Sequence, residues 1–171
     1  MNLVLIGYRG SGKTTVGGLL AERLGWPMAD TDKMIEHHSG CTIKEIFAAG
    51  GEAAFRDLER EAVRNACQAD QSVISLGGGA ILSEENLREA SRRGRIVYLQ
   101  ASARVLWQRI QNDPRTSANR PRLTTGGYQE VVDLLDRRDP TYRDAADLIV
   151  DAMREPADIV ETIVGDLGLE P

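Results

Sequence analysis

Near the amino terminus, Gly7-Tyr8-Arg9-Gly10-Ser11-Gly12-Lys13-Thr14 satisfies the pattern G-x-x-x-x-G-K-S/T. These residue types suit one task, the cradling of a polyphosphate. Glycines let the backbone bend so that successive amides point at phosphate oxygens. A helix opening at the motif presents its positive end to the same anion. Lys13 adds a mobile charge for the β- and γ-phosphates, and the Thr14 hydroxyl suits Mg²⁺. Gly10, Ser11, Gly12, Lys13 and Thr14, with the adjoining Thr15, are the candidate nucleoside triphosphate contacts. The motif indicates that a nucleoside triphosphate is bound and cleaved, and nothing about what accepts the phosphoryl group.

Other residues bear on the acceptor. Asp30-Thr31-Asp32 follows a weak apolar stretch, Trp26 to Ala29. Two carboxylates two positions apart at a strand end can divide labour, one serving the Mg²⁺ shell and the other a hydroxyl. The competing reading makes Asp32 a cap for a helix over Lys33 to Ser39. Gly77-Gly78-Gly79 follows the apolar run Ser72 to Leu76. It is either a place where a ligand approaches the backbone or a plain turn. Arg56 either serves a ligand or pairs with Glu52 one helical turn away. Arg120 and Arg138 are either ligand contacts or solvated charges.

Positioning such groups needs a scaffold, and the hydrophobic pattern describes one. Leu3 to Ile6, Ser72 to Leu76, Ile96 to Leu99 and Leu148 to Val150 are short continuous apolar runs, the mark of strands buried on both faces. Helical stretches alternate with them: Thr14 to Leu24 stopped by Gly25, Glu52 to Ala66, and Glu84 to Arg93 with Ser83 as N-cap and Gly94 as stop. The alternation predicts an α/β fold with a parallel sheet flanked by helices. Two segments exceed that minimum. Residues 31–69 hold two or three helical pieces with no strand between them, one opened by a Thr42/Glu45 capping box. Residues 112–127 have two prolines, two glycines and three arginines and read as a loop, of a length that marks a lid, a binding loop or disorder; as a lid, its candidate hinge is Gly126-Gly127.

Composition bounds the alternatives. The 171 residues predict one domain. Apolar residues make up 42% and charged residues 27%, which excludes a disordered chain. The net charge of −5 argues against a nucleic-acid partner. No apolar run is long enough to span a membrane, and the glycines from Gly7 onward interrupt the first run too early for a secretory leader. Cys41 and Cys67 lack metal-site spacing and are expected to be free thiols in a reducing cytoplasm. The adjacent His37 and His38 are not expected to share a metal.

Taken in order, GYRGSGKT, DTD, FRDLE, SLGGG, NRPRL, RRDPTYR and DAMREP resemble the shikimate kinase family, from Leu3 to about Val164. The resemblance implies a P-loop, nucleoside-monophosphate-kinase-like fold with a five-stranded parallel sheet, a helical acceptor-binding segment and a lid. It implies transfer of the ATP γ-phosphate to the 3-hydroxyl of shikimate. By the same resemblance, Asp32 would be the base for that hydroxyl, and Arg56 and Arg138 would grip the shikimate carboxylate. Phe47 and Phe55 would pack on its ring, and Gly77, Gly78 and Gly79 would line the acceptor pocket. Asp30 would act through water on Mg²⁺ held by Thr14. Lys13 and Arg120 would act catalytically on the phosphates, while Arg109, Arg154 and Pro156 would lie about the adenine. ATP and shikimate are the expected partners of a cytoplasmic monomer. The stretch from Arg109 to Arg120 is longer than in compact family members, and the lid reads RPRLT rather than RPLL. Rival readings are another small-molecule P-loop kinase, such as one acting on gluconate or a nucleotide, and a catalytically inactive nucleotide-binding homologue.

Overall fold

The structure, a computed structural model, describes residues 1–113 and 127–169. Five strands form one parallel sheet in the order β2-β3-β1-β4-β5. They are β1 (Asn2–Ile6), β2 (Met28–Asp30), β3 (Val73–Ser75), β4 (Gly94–Gln100) and β5 (Leu148–Asp151). β1 lies at the centre and is buried along its whole length, as its unbroken apolar run requires. β2 starts two residues later than the apolar stretch suggested, because Trp26 and Pro27 complete the turn out of the preceding helix.

Among the described residues, seven helices flank the sheet: α1 (Lys13–Leu24), α2 (Thr31–Ser39), α3 (Ile43–Cys67), α4 (Glu84–Arg93), α5 (Ala103–Asn112), α6 (Gly127–Ala145) and α7 (Pro156–Asp166). A short 3₁₀ turn, Ala80–Leu82, lies between β3 and α4. The capping box at Thr42 is formed, with both reciprocal bonds to Glu45. Ser83 caps α4 and Gly25 closes α1 as expected. α3 is two helical pieces joined at Gly51, whose φ of +72° and ψ of −170° are open essentially to glycine alone.

After β1 the chain moves toward the β2 edge, and after β3 it crosses to the other side of β1. The crevice at the carboxyl ends of these strands is the place where open α/β sheets bind ligands. The loop after β1 carries the P-loop and the loop after β3 carries the three glycines, so the topology alone brings both motifs to that crevice.

Two apolar clusters hold the fold. The larger surrounds the sheet and includes Leu3, Leu5, Ile74, Leu99, Leu106 and Ile163. The smaller joins Ile35 of α2 to Ile43, Ile46, Phe55 and Ala62 of α3. It gives residues 31–69, the predicted acceptor segment, packing of their own.

The expected lid falls mostly outside the described residues. Its first residue, Asn112, is the last of α5, and Gly127 is the first of α6. Arg120 and Gly126 lie outside the described residues. α6 was not legible in the sequence because Pro140 sits inside it. Proline removes one helical hydrogen bond, and here tertiary anchoring of the same turn outweighs that loss.

Candidate active site

The P-loop runs from the end of β1 into α1. Gly10 and Gly12 have φ of +83° and +94°, which turns the loop back on itself. The Lys13 ammonium donates to the Gly7 carbonyl at 2.7 Å and the Tyr8 carbonyl at 3.1 Å. Arg109 on α5 supports the loop from behind, donating to the Gly10 carbonyl at 3.3 Å and the Ala152 carbonyl at 2.8 Å. The Ser11 hydroxyl is buried and has no hydrogen-bond partner among the described residues.

Asp30 links this loop to the acceptor side. Its Oδ2 accepts a bond from the Thr14 hydroxyl at 3.2 Å. Its Oδ1 accepts from the backbone N–H groups of Asp32 at 3.1 Å and Lys33 at 3.3 Å, so Asp30 is the N-cap of α2. This corrects the helix start read from the sequence: α2 opens at Thr31 rather than Lys33, and Asp32 is not the cap. Thr14 and Asp30 present a hydroxyl and a carboxylate oxygen together. Such hard oxygen donors fit Mg²⁺, which keeps several waters and takes one or two protein oxygens beside its phosphates.

The three glycines are where the acceptor-side groups converge. A Cβ placed on Gly77 would lie 2.8 Å from Asp32 Oδ1 and 3.1 Å from Glu59 Oε2. One on Gly79 would lie 2.8 Å from the Arg56 guanidinium. One on Gly78 would lie 3.6 Å from Arg138 Nη1 and 3.6 Å from the backbone nitrogen of Arg9 in the P-loop. At Gly77 and Gly79 a side chain would press on the Asp32 carboxylate and the Arg56 guanidinium, whereas at Gly78 the Arg138 and P-loop distances are ordinary contacts. Thr31, fully buried, fixes that turn: its hydroxyl donates to the Ser75 carbonyl at 3.3 Å and accepts from the Gly77 N–H at 3.1 Å.

Arg56 makes the Glu52 pair weighed for it and also reaches the acceptor turn. It reaches Glu52 at 3.4 Å, and it also donates to Glu59 Oε1 at 2.7 Å while its guanidinium stands beside Gly79. Glu59 is only 2% exposed. Burial raises its carboxyl above the ordinary range, and the Arg56 and Arg138 charges pull it part of the way back. Phe47 and Phe55 stack on each other with ring centroids 4.8 Å apart, and the Arg56 guanidinium lies 5.3 Å from the Phe55 ring centre.

A cleft of about 490 Å³ joins the P-loop residues Gly10 to Thr15 with Asp30, Asp32, Arg109, Arg154 and Pro156. The predicted nucleotide residues and the predicted base thus share one cavity. Arg154 donates to the Thr162 hydroxyl at 3.1 Å, and Pro156 opens α7. Arg56, Arg138 and the three glycines adjoin this cleft through the Gly77 to Gly79 turn rather than lining it.

The shikimate kinase family model matches residues 9–167. The chain belongs to the shikimate kinase family. Its relatives include the shikimate kinase of Oleidesulfovibrio alaskensis, 45% identical over 157 residues that cover 91% of this chain and 90% of that one. The shikimate kinase of Moorella thermoacetica is 43% identical over 150 residues, covering 88% of this chain and 84% of that one. Among solved structures, the shikimate kinase of Acinetobacter baumannii in complex with shikimate superposes with a TM-score of 0.90 at 35% identity, covering 97% of this chain and 92% of that one. The expected fold, a P-loop α/β kinase with a five-stranded parallel sheet, is the fold of this family member.

Glu59, Thr31 and Tyr142 are the family member's site-adjacent groups to which the sequence reading assigned no role. Glu59 stood in the quoted FRDLE stretch, three positions after Arg56, and that helical spacing was the available signal. The signal for Thr31 was its place between two candidate carboxylates.

Proposed function

We propose that this chain transfers the γ-phosphoryl group of ATP to the 3-hydroxyl of shikimate, giving shikimate 3-phosphate and ADP. The observation that carries the reading is the convergence of Asp32, Arg56 and Arg138 on the Gly77 to Gly79 turn, beside the P-loop backbone. The family match and the shikimate complex of the Acinetobacter baumannii relative support it.

In this reading the P-loop amides and Lys13 hold the phosphates, with Arg109, Arg154 and Pro156 about the adenine. Arg56 and Arg138 bind the shikimate carboxylate; a planar guanidinium meets a carboxylate with two parallel bonds and so fixes orientation as well as charge. The Gly77 to Gly79 backbone lets the ring approach closely. Asp32 accepts the hydroxyl proton as the acceptor oxygen bonds to the γ-phosphorus and the bond to the ADP oxygen breaks. Thr14 and Asp30 hold Mg²⁺, Asp30 through water; when bound, the ion neutralises charge on the phosphate oxygens. Arg120, outside the described residues, is assigned to the phosphates. Phe47 and Phe55 form the apolar wall. Every assigned residue comes from one chain, and we assign a monomer working in the cytoplasm, where Cys41 and Cys67 stay reduced. No helix among the described residues is long and apolar enough to cross a membrane.

ADP release over a panel of shikimate, gluconate and nucleoside monophosphates tests the assignment. ADP formation that depends on shikimate is the expected result. Turnover with another acceptor and none with shikimate would overturn it.

A further inference from the structure

Tyr142 is fully buried, and the mechanism above does not use it. Its hydroxyl donates to the Gly78 carbonyl at 2.5 Å, across 64 residues of sequence. The Arg138 guanidinium, one helical turn earlier on α6, lies beside the same glycine: a Cβ on Gly78 would be 3.6 Å from Arg138 Nη1. The Gly78 peptide is therefore held by the Tyr142 hydroxyl and approached by the Arg138 guanidinium, both from α6. Arg138 is otherwise steered by the Tyr8 ring, 5.7 Å from its central carbon.

Tyr142 is itself held. Its ring packs on Tyr98 with centroids 5.0 Å apart. The Tyr98 hydroxyl donates to Asp139 at 2.7 Å, and Asp139 also accepts from Gln100 at 3.3 Å and Arg143 at 2.6 Å. These bonds pin the Pro140 turn of α6 to β4. Burial pushes the Tyr142 hydroxyl up to about 12, so it keeps its proton and remains a donor to Gly78 throughout the physiological range.

We propose that Tyr142 is a positioning residue for acceptor recognition: its hydroxyl fixes the Gly78 peptide beside which the Arg138 guanidinium lies. A long arginine side chain has many rotamers, and a fixed peptide beside it limits them before the acceptor arrives. The inference rests on the assignment of Arg138 to the shikimate carboxylate.

Tyr142→Phe removes the oxygen and keeps the ring on Tyr98. The expected result is a rise in shikimate KM of about five- to tenfold, the worth of one net hydrogen bond, with ATP KM within about twofold. Assays run well below each variant's unfolding transition separate this from general destabilisation. In an Arg138→Lys background, which lacks the planar fork, the same exchange is expected to add less than about twofold, because the two residues act as one unit. A drop in Tm with shikimate KM unchanged, a parallel rise in both KM values, or full additivity with Arg138→Lys would overturn the proposal. An unsubstituted chain that releases no ADP in response to shikimate would overturn the functional assignment as well, so the two failures are told apart.

Discussion

Asp32 and Glu59 meet at Gly77, yet their surroundings differ. Glu59 is buried against Arg56, whereas Asp32 lines the cleft shared with the P-loop. In the proposed function it is therefore Asp32, the carboxylate that lines the P-loop cleft, that takes the proton. Asp32→Asn is expected to lower kcat by about 10²–10⁴-fold, the usual worth of a positioned base, while nucleotide binding measured by titration persists. Near-normal kcat would remove Asp32 from that role. The residues read from the sequence were those whose chemistry is local: the P-loop, the paired aspartates, the three glycines and the arginine of FRDLE. Thr31 and Tyr142 stayed hidden because their partners, Ser75, Gly77 and Gly78, lie 44 to 64 positions away and are met only after the sheet forms.

The break in α3 falls between Ile46 and Phe55, both members of the small apolar cluster. At Gly51 the backbone adopts a conformation that an L side chain resists. Gly51→Ala is expected to destabilise the fold by about 1–3 kcal/mol, read as a lower urea midpoint with an unchanged slope. A neutral result would mean that the two helical pieces can be joined straight. The break was legible as "two or three helical pieces" because Gly50-Gly51 interrupts the run, but its angle depends on Phe55 and Ile46 packing on α2. α6 offers a second test. Burial raises the Asp139 carboxyl, but bonds from Arg143, Tyr98 and Gln100 overcome it, and the net direction is below the ordinary range. A carboxyl depressed on folding stabilises above its unfolded value, about 3.9, and that stability is lost as pH falls through its lower folded value. The Tm difference between the unsubstituted chain and Asp139→Asn should thus be full at pH 7 and close below about pH 3.9. A difference constant across that range would deny Asp139 its anchoring role.

The division into a sheet-centred core and a smaller α2–α3 cluster means that the two halves of the cleft are held with different strength. Local opening follows the supply of buried apolar contacts. Amides of α2 and the first piece of α3 are expected to exchange faster than those of β1 and β4. Shikimate should slow the former selectively, as hydrogen exchange with mass detection would record. Equal protection across both regions would mean that the chain opens as one unit. This layout was partly legible: the strand–helix alternation foretold the sheet, and residues 31–69 read as helical pieces without a strand, but that they pack into a cluster of their own was not read. The strand order was not, because it depends on which parallel neighbours pair rather than on any local run.

The Lys13 ammonium already donates to the carbonyls of Gly7 and Tyr8. An arriving anion must out-compete two backbone oxygens rather than meet an idle cation. A singly charged buffer ion gains little by that exchange, while a polyanion that also engages the loop amides gains enough to recruit the side chain. The loop therefore sorts its guests by valence before any base or ring is recognised.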